Sequence, residues 1–136
     1  MVLLDTHIWL WWLLGDGSLK DSERLALDRL GSNQKLCISW TTIWETEILE
    51  RKSRISLLPD FSAWIKTATQ KEIVQVLPVD LDVILTQHQL PESFHSDPAD
   101  RLITATAILS GFELATHDQR ILDADVCPIW NEDSDE

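Results

Sequence analysis

Short apolar runs alternate with amphipathic stretches along this chain, and that alternation predicts strands and helices in turn. Met1-Val2-Leu3-Leu4-Asp5 is an apolar run closed by an acid, the pattern of a buried parallel strand ending at a ligand-binding edge. Residues 6–14 crowd Ile8, Trp9, Trp11 and Trp12 together and predict a helix buried on much of its surface. Gly15-Asp16-Gly17-Ser18 is a turn; it follows a helix and lacks a third glycine, which excludes a dinucleotide loop. Residues 21–30 predict an amphipathic helix with Leu25, Leu27 and Leu30 inward and Gly31 at its end. A second strand follows at 35–39. Thr42 then opens a helix to about Arg54, with Thr42-x-x-Glu45 as a capping box.

Pro59 starts a further helix carrying Phe61, Trp64, Ile65 and Ala68, and residues 73–77 form the third strand. Residues 80–89 are helical by Leu81, Val83, Ile84 and Leu85, and 90–96 form a loop. Asp97-Pro98 opens the next helix, because proline suits the first helical position and the residue before it stays extended. Leu102, Ile103, Ala105, Thr106 and Leu109 face its core side, and Gly111 stops it. Residues 113–116 form the fourth strand, 119–122 a short helix, and Pro128-Ile129-Trp130 a last strand. The expected fold is α/β: one domain over 1–130, with a mostly parallel central sheet of about five strands flanked by helices. Residues 131–136 read as a solvated acidic tail.

Composition sharpens this. A 44% apolar share and 136 residues suffice for a real core, and seven Trp with no Tyr supply large apolar anchors for core or interface; Trp11, beside Trp12, is a candidate for the latter. A net charge of -12 excludes a general nucleic-acid coat protein, and the six acids from Asp123 onward, with no Lys or Arg, carry half of that excess. Cys37 and Cys127 have no metal-type spacing and form no disulfide framework, which fits a reducing compartment. The apolar N-terminal run is interrupted by Asp5 and His7 and is too short to span a bilayer, so a cytoplasmic protein without a membrane is expected.

The isolated acids carry the chemistry. Asp5 ends the first strand, Glu45 lies in the first turn of the helix after the second, Asp100 lies in the first turn of its own helix, and Asp118 follows the fourth strand. In open α/β sheets ligands bind beyond the carboxyl ends of the strands, so all four can face one cleft. Each acid singly is as well explained by capping or a backbone hydrogen bond, but four on one edge argue for a site. Like charges so gathered oppose ionisation unless a cation offsets them, and Mg²⁺ or Mn²⁺ prefers such oxygen ligands. A site of that kind hydrolyses a phosphodiester with a metal-activated water and needs no side-chain nucleophile. Asp97 is an N-cap with an accessory role toward a second ion, and Thr116 a strand-end residue in reach of an ion's water. His7 is placed to line the cleft. The histidines match no zinc spacing, and none is given a catalytic role.

These residues resemble the PIN-domain family, and most closely the VapC-type toxin ribonucleases of toxin–antitoxin systems. The resemblance is carried by Leu3-Leu4-Asp5-Thr6-His7, Ser39-x-x-Thr42-x-x-Glu45, His95-x-Asp97-Pro98-x-Asp100-Arg101-Leu102, Thr116-His117-Asp118 and a final Ile129-Trp130. It implies a Mg²⁺- or Mn²⁺-dependent endoribonuclease with Asp5, Glu45, Asp100 and Asp118 as its metal-binding and catalytic acids. It also implies a homodimer and a small antitoxin partner whose C-terminal segment covers the groove. Ala99 stands where these toxins often carry Phe and His117 where Arg is common, and Glu50-Arg51-Lys52-Ser53-Arg54 lacks the usual glycine.

An RNA substrate needs basic contacts, for which Arg54 and Arg101 are the candidates; Arg51 and Lys52 read as an ordinary solvated helix end. Receiver-type and haloacid-dehalogenase-like alternatives both need a late Lys, and the final Lys is Lys71. The competing reading is a non-catalytic module whose acidic groove docks a basic peptide.

Overall fold

The computed structural model describes residues 1–134. Four parallel strands form the sheet: β1 (Val2–Leu4), β2 (Leu36–Ser39), β3 (Gln75–Leu77) and β4 (Glu113–Ala115), in the order β3-β2-β1-β4. The helices are α1 (Thr6–Leu14), α2 (Asp21–Ser32), α3 (Trp40–Arg51), α4 (Phe61–Ala68), α5 (Leu81–His88), α6 (Pro98–Ser110) and α7 (Gln119–Ala124).

Strand periodicity sorts the core into two layers. Val2, Leu4, Leu36, Ile38 and Ala115 point to the face covered by α1, α2 and α4. Leu3, Cys37 and Leu114 point to the other, against Ile103 and Ala107 of α6 and Ile121 of α7. With both faces covered, the strands read as continuous apolar runs rather than alternating ones. Cys37 and Cys127 are free and buried, and burial pushes their thiols up to about 12 and about 11, so neither offers a thiolate near neutral pH. Among the described residues no helix is long and apolar enough to cross a membrane.

Several expected boundaries shift for local reasons. The fifth strand is reduced to one parallel bridge between Leu114 and Ile129, made by Leu114 N–H to Pro128 O and Trp130 N–H to Leu114 O, each 2.9 Å. Pro128 has no N–H with which to extend it. Helix α2 runs through Gly31, whose missing side chain makes room for Trp12: a Cβ there would meet the indole at 3.3 Å. Leu25 and Leu109, expected inward, are 61% and 49% exposed. Asp60, not Pro59, starts α4, its carboxylate accepting from the Ala63 amide. The tail expected from Asn131 opens with a 3-10 turn, Glu132–Ser134, against α2; Asp135 and Glu136 lie outside the described residues.

The chain passes from β1 through β2 to β3 on one side, then crosses back to place β4 on the other side of β1. A crevice therefore opens beyond the carboxyl ends of β1 and β4, where strand order reverses.

Candidate active site

Three helices start at that crevice, and each is capped by an acid. Asp5 follows β1 and accepts from the Ile8 amide at 2.9 Å; Asp97 accepts from Asp100 N at 3.0 Å; Asp118 accepts from Arg120 N at 2.9 Å. The capping reading of these acids is correct, and it does not exclude a site. A cap occupies one carboxylate oxygen and fixes the rotamer, while the positive ends of α1, α6 and α7 offset part of the gathered charge.

Glu45 differs. Ser39 caps α3 by accepting from Thr41 N at 2.9 Å, so β2 runs directly into the helix and Thr42-x-x-Glu45 is no capping box. Glu45 thus falls in the second turn, not the first. Its carboxylate accepts the hydroxyl proton of Thr6, whose oxygen lies 3.3 Å from that of the buried Thr42.

Asp5, Glu45, Asp97, Asp100 and Asp118 all line one cleft of about 320 Å³. Burial raises the Asp5 carboxyl above its usual range, although Thr116 and the Ile8 amide hold it down in part. The Thr116 hydroxyl also accepts from Asp118 N at 3.0 Å, so this strand-end Thr links the first acid to the last. Burial likewise raises Glu45, helped by the charges of Asp100 and Asp97 and opposed by Thr6. Asp100 is raised by burial and by Asp97 and Asp118, against a lowering by His95. Burial would raise Asp118 too, but its hydrogen bonds with Arg120 outweigh that and leave it low.

Two residues of this cluster were given no role from the sequence: Arg120 was not considered, and His95 entered only as part of the family pattern. Arg120 places Nη2 3.1 Å from Asp118 Oδ2 and 3.5 Å from Asp100 Oδ2, so a guanidinium bridges two of the acids. His95 sets Nε2 2.8 Å from Asp100 Oδ2, and ligand atoms of His95, Asp100 and Asp118 lie within 4.8 Å of one another. The spacing Asp118-x-Arg120 was the available signal for the first. The second depended on how the 90–96 loop folds back.

Both proposed RNA contacts lie elsewhere. Arg101 is spent inside the fold: it donates to Gln87 Oε1 and O at 3.0 Å and to the carbonyls of Phe94 and His95, clamping the loop that carries His95. Arg54 lines a separate depression with Glu50 and Ser53. The guanidinium in the cleft is that of Arg120.

A PIN domain family model matches residues 2–126. The chain belongs to the PIN domain family. It is 35% identical over 120 residues to "Ribonuclease VapC22" of Mycobacterium tuberculosis, covering 88% of each chain. Among solved structures it resembles DNA-bound VapBC from Salmonella typhimurium, with a TM-score of 0.72, 19% identity and 96% and 97% of the two chains covered. A toxin-antitoxin complex from Klebsiella pneumoniae gives a TM-score of 0.67 at 20% identity over 97% and 98%. The sheet and its flanking helices are therefore shared with these structures at low identity, and the donor chemistry of this cleft fits a divalent metal. Asp5, Glu45, Asp100 and Asp118 supply hard oxygen ligands whose mutual repulsion a cation would relieve.

The charge of Glu45 works against the fold. A carboxyl raised above its usual value of 4.5, as Glu45 is, favours the protonated form in the native state. Its stabilising contribution is present below pH 4.5 and is lost as pH rises through the raised native value. Glu45→Gln keeps the acceptor for Thr6 without the charge. In chelator at pH 7 this variant is expected to melt a few degrees above wild type, with the gap closing toward pH 4, where about 1 kcal/mol corresponds to roughly 4 °C. Calorimetry across that range checks it; a lower melting temperature at pH 7 would contradict the assignment.

Proposed function

We propose that this PIN domain is a Mg²⁺- or Mn²⁺-dependent endoribonuclease of the VapC kind, the toxin of a toxin–antitoxin pair. The observation that supports it best is the convergence of Asp5, Glu45, Asp100 and Asp118 on one cleft at the strand-order reversal. The 35% identity to a named ribonuclease agrees. These four acids would hold the ion, with Asp97 and Thr116 in supporting places. When bound, the ion supplies activation of a water and neutralisation of phosphate charge.

The chain's own residues do the rest. Thr6 orients the Glu45 carboxylate, Thr116 and the Ile8 amide fix Asp5, and His95 fixes Asp100. Arg120 is 61% exposed at its side chain, so its guanidinium would be free to turn from the acids toward a substrate phosphate. A small antitoxin covering the cleft and a homodimeric toxin complete the reading, in keeping with the toxin–antitoxin complexes this fold resembles. A cytoplasmic location follows from an RNA substrate and an intracellular partner.

The test is incubation of the isolated protein with a mixed pool of structured RNAs, with Mg²⁺ or Mn²⁺ and with chelator. Cleavage confined to the metal-containing reactions is expected. An inert protein that takes up no divalent ion, yet binds basic peptides equally in chelator, would replace this reading with the docking module.

A further inference from the structure

One wall of the cleft is aromatic, and the acid chemistry makes no use of it. His7 and His117 both approach Trp11, with ring centroids 5.8 Å and 5.5 Å from the indole and planes tilted by 50° and 56°. His7 and Trp11 stand four residues apart, one turn along α1, so both side chains share a face of that helix. His117 comes from the loop after β4, and its Nε2 lies 2.7 Å from Glu23 Oε2 on α2. That contact fixes the third ring from a separate element.

All three rings line the same cleft as the acids. Both imidazoles are exposed and Trp11 is only partly covered, whereas Trp9, two positions earlier, is fully buried. Trp11 packs against the core on one side but, unlike Trp9, keeps part of its ring open to the cleft. Its ring is part of the lining of the cleft in which a nucleic-acid strand would run.

We propose that His7, Trp11 and His117 form a nucleobase-stacking subsite that takes the base of a nucleotide flanking the cleaved phosphodiester. This rests on the ribonuclease reading and adds a place for the base beside the place for the phosphate. Proteins recognise single-stranded RNA by splaying bases onto Trp and His faces, and stacking tolerates any base because each has a π-face. The subsite therefore selects for an unpaired, unstacked nucleotide at the cut and gives only a graded base preference.

The probe is a short fluorescein-labelled oligoadenylate, intact or with one abasic position moved along it. Binding is measured with Ca²⁺ in place of Mn²⁺, and strand integrity is checked on a gel. Trp11→Leu and His7→Leu are compared with Trp11→Phe and His7→Phe, which keep a flat ring and guard against loss of folding. On the intact strand the Leu variants are expected to bind about tenfold more weakly and the Phe variants close to wild type. Wild type should lose a similar factor when the abasic position reaches the wall, and Trp11→Leu should not distinguish the two strands there. Equal losses on intact and abasic strands, or none on either, would overturn the subsite while leaving metal-dependent cleavage by wild type intact. A wild type that neither binds these strands nor cuts RNA with Mn²⁺ would remove the ribonuclease reading, and the subsite with it.

Discussion

Asp100→Asn is expected to abolish metal-dependent RNA cleavage without weakening the fold. Asp100 Oδ2 is the shared point of the cluster, 2.8 Å from His95 Nε2 and 3.5 Å from Arg120 Nη2. Asparagine keeps the shape and one oxygen but removes the charge that a divalent ion needs. Loss of a preorganised electrostatic group costs about 10²–10³ in kcat. A lost direct ligand should also lower metal affinity by at least the roughly 10–100-fold that outer-shell changes cause. Stability should move the other way. Burial and two neighbouring acids hold the Asp100 carboxyl above its usual range, so its ionised form opposes folding at neutral pH in chelator. Turnover with saturating Mn²⁺, calorimetric Mn²⁺ titration and a melting curve separate the effects. Cleavage within tenfold of wild type would take Asp100 out of the catalytic set, and a collapsed melting temperature would mean the acid holds the fold rather than the ion.

The sequence made the edge of the sheet legible because several isolated acids fell at strand carboxyl ends or helix amino ends together, although each alone, Asp5 included, is equally well a cap. Glu45 was found on a misleading local pattern. Thr42-x-x-Glu45 has capping-box spacing, but Ser39 stands three residues earlier and caps the helix first, which frees Glu45 for the cleft. Arg101 shows the opposite failure. Its position beside Asp100 invited a substrate contact, yet guanidinium orientation depends on which carbonyls a folded loop presents, and here they are those of Gln87, Phe94 and His95. Arg120 was missed, and His95, quoted in the family pattern, was given no role, for the same reason: each acts across a distance that only the packing of α6, α7 and the 90–96 loop fixes. The fifth strand failed on one atom, the N–H that Pro128 lacks.

An acidic chain that is to act on a polyanion, as proposed for this one, needs positive potential at one place only. The net charge of -12 is a property of the whole surface, whereas the cleft combines three helix N-termini and Arg120 with the acids themselves. Without a divalent ion the acids dominate, so RNA affinity should be weak in chelator. On the proposed function a bound divalent ion would reverse the local sign and so tie substrate binding to a loaded site.

Trp9→Ala is expected to cost about 3–5 kcal/mol, the range for truncating a buried aromatic ring. Against a total stability of about 5–15 kcal/mol this removes about a fifth of the margin or more. Trp9 is fully buried on α1 and meets Trp64 of α4 edge-on, with centroids 5.5 Å apart at 69°. Its Nε1 is buried with no hydrogen-bond partner among the described residues. That second fact separates two contributions. Trp9→Phe leaves a smaller cavity and also removes a polar N–H whose unpaired burial costs about 1–3 kcal/mol, so the two effects oppose. Phe should therefore cost well under half as much as Ala. Urea titration followed by circular dichroism reads both, through a shifted midpoint at unchanged slope. The loss in Trp9→Ala should reach the cleft as well, because the same helix carries the Asp5 cap and the Thr6 hydroxyl that orients Glu45. If Phe costs as much as Ala, the edge-on indole contact with Trp64 outweighs the buried N–H, and α1 is held in register by ring shape rather than by apolar volume.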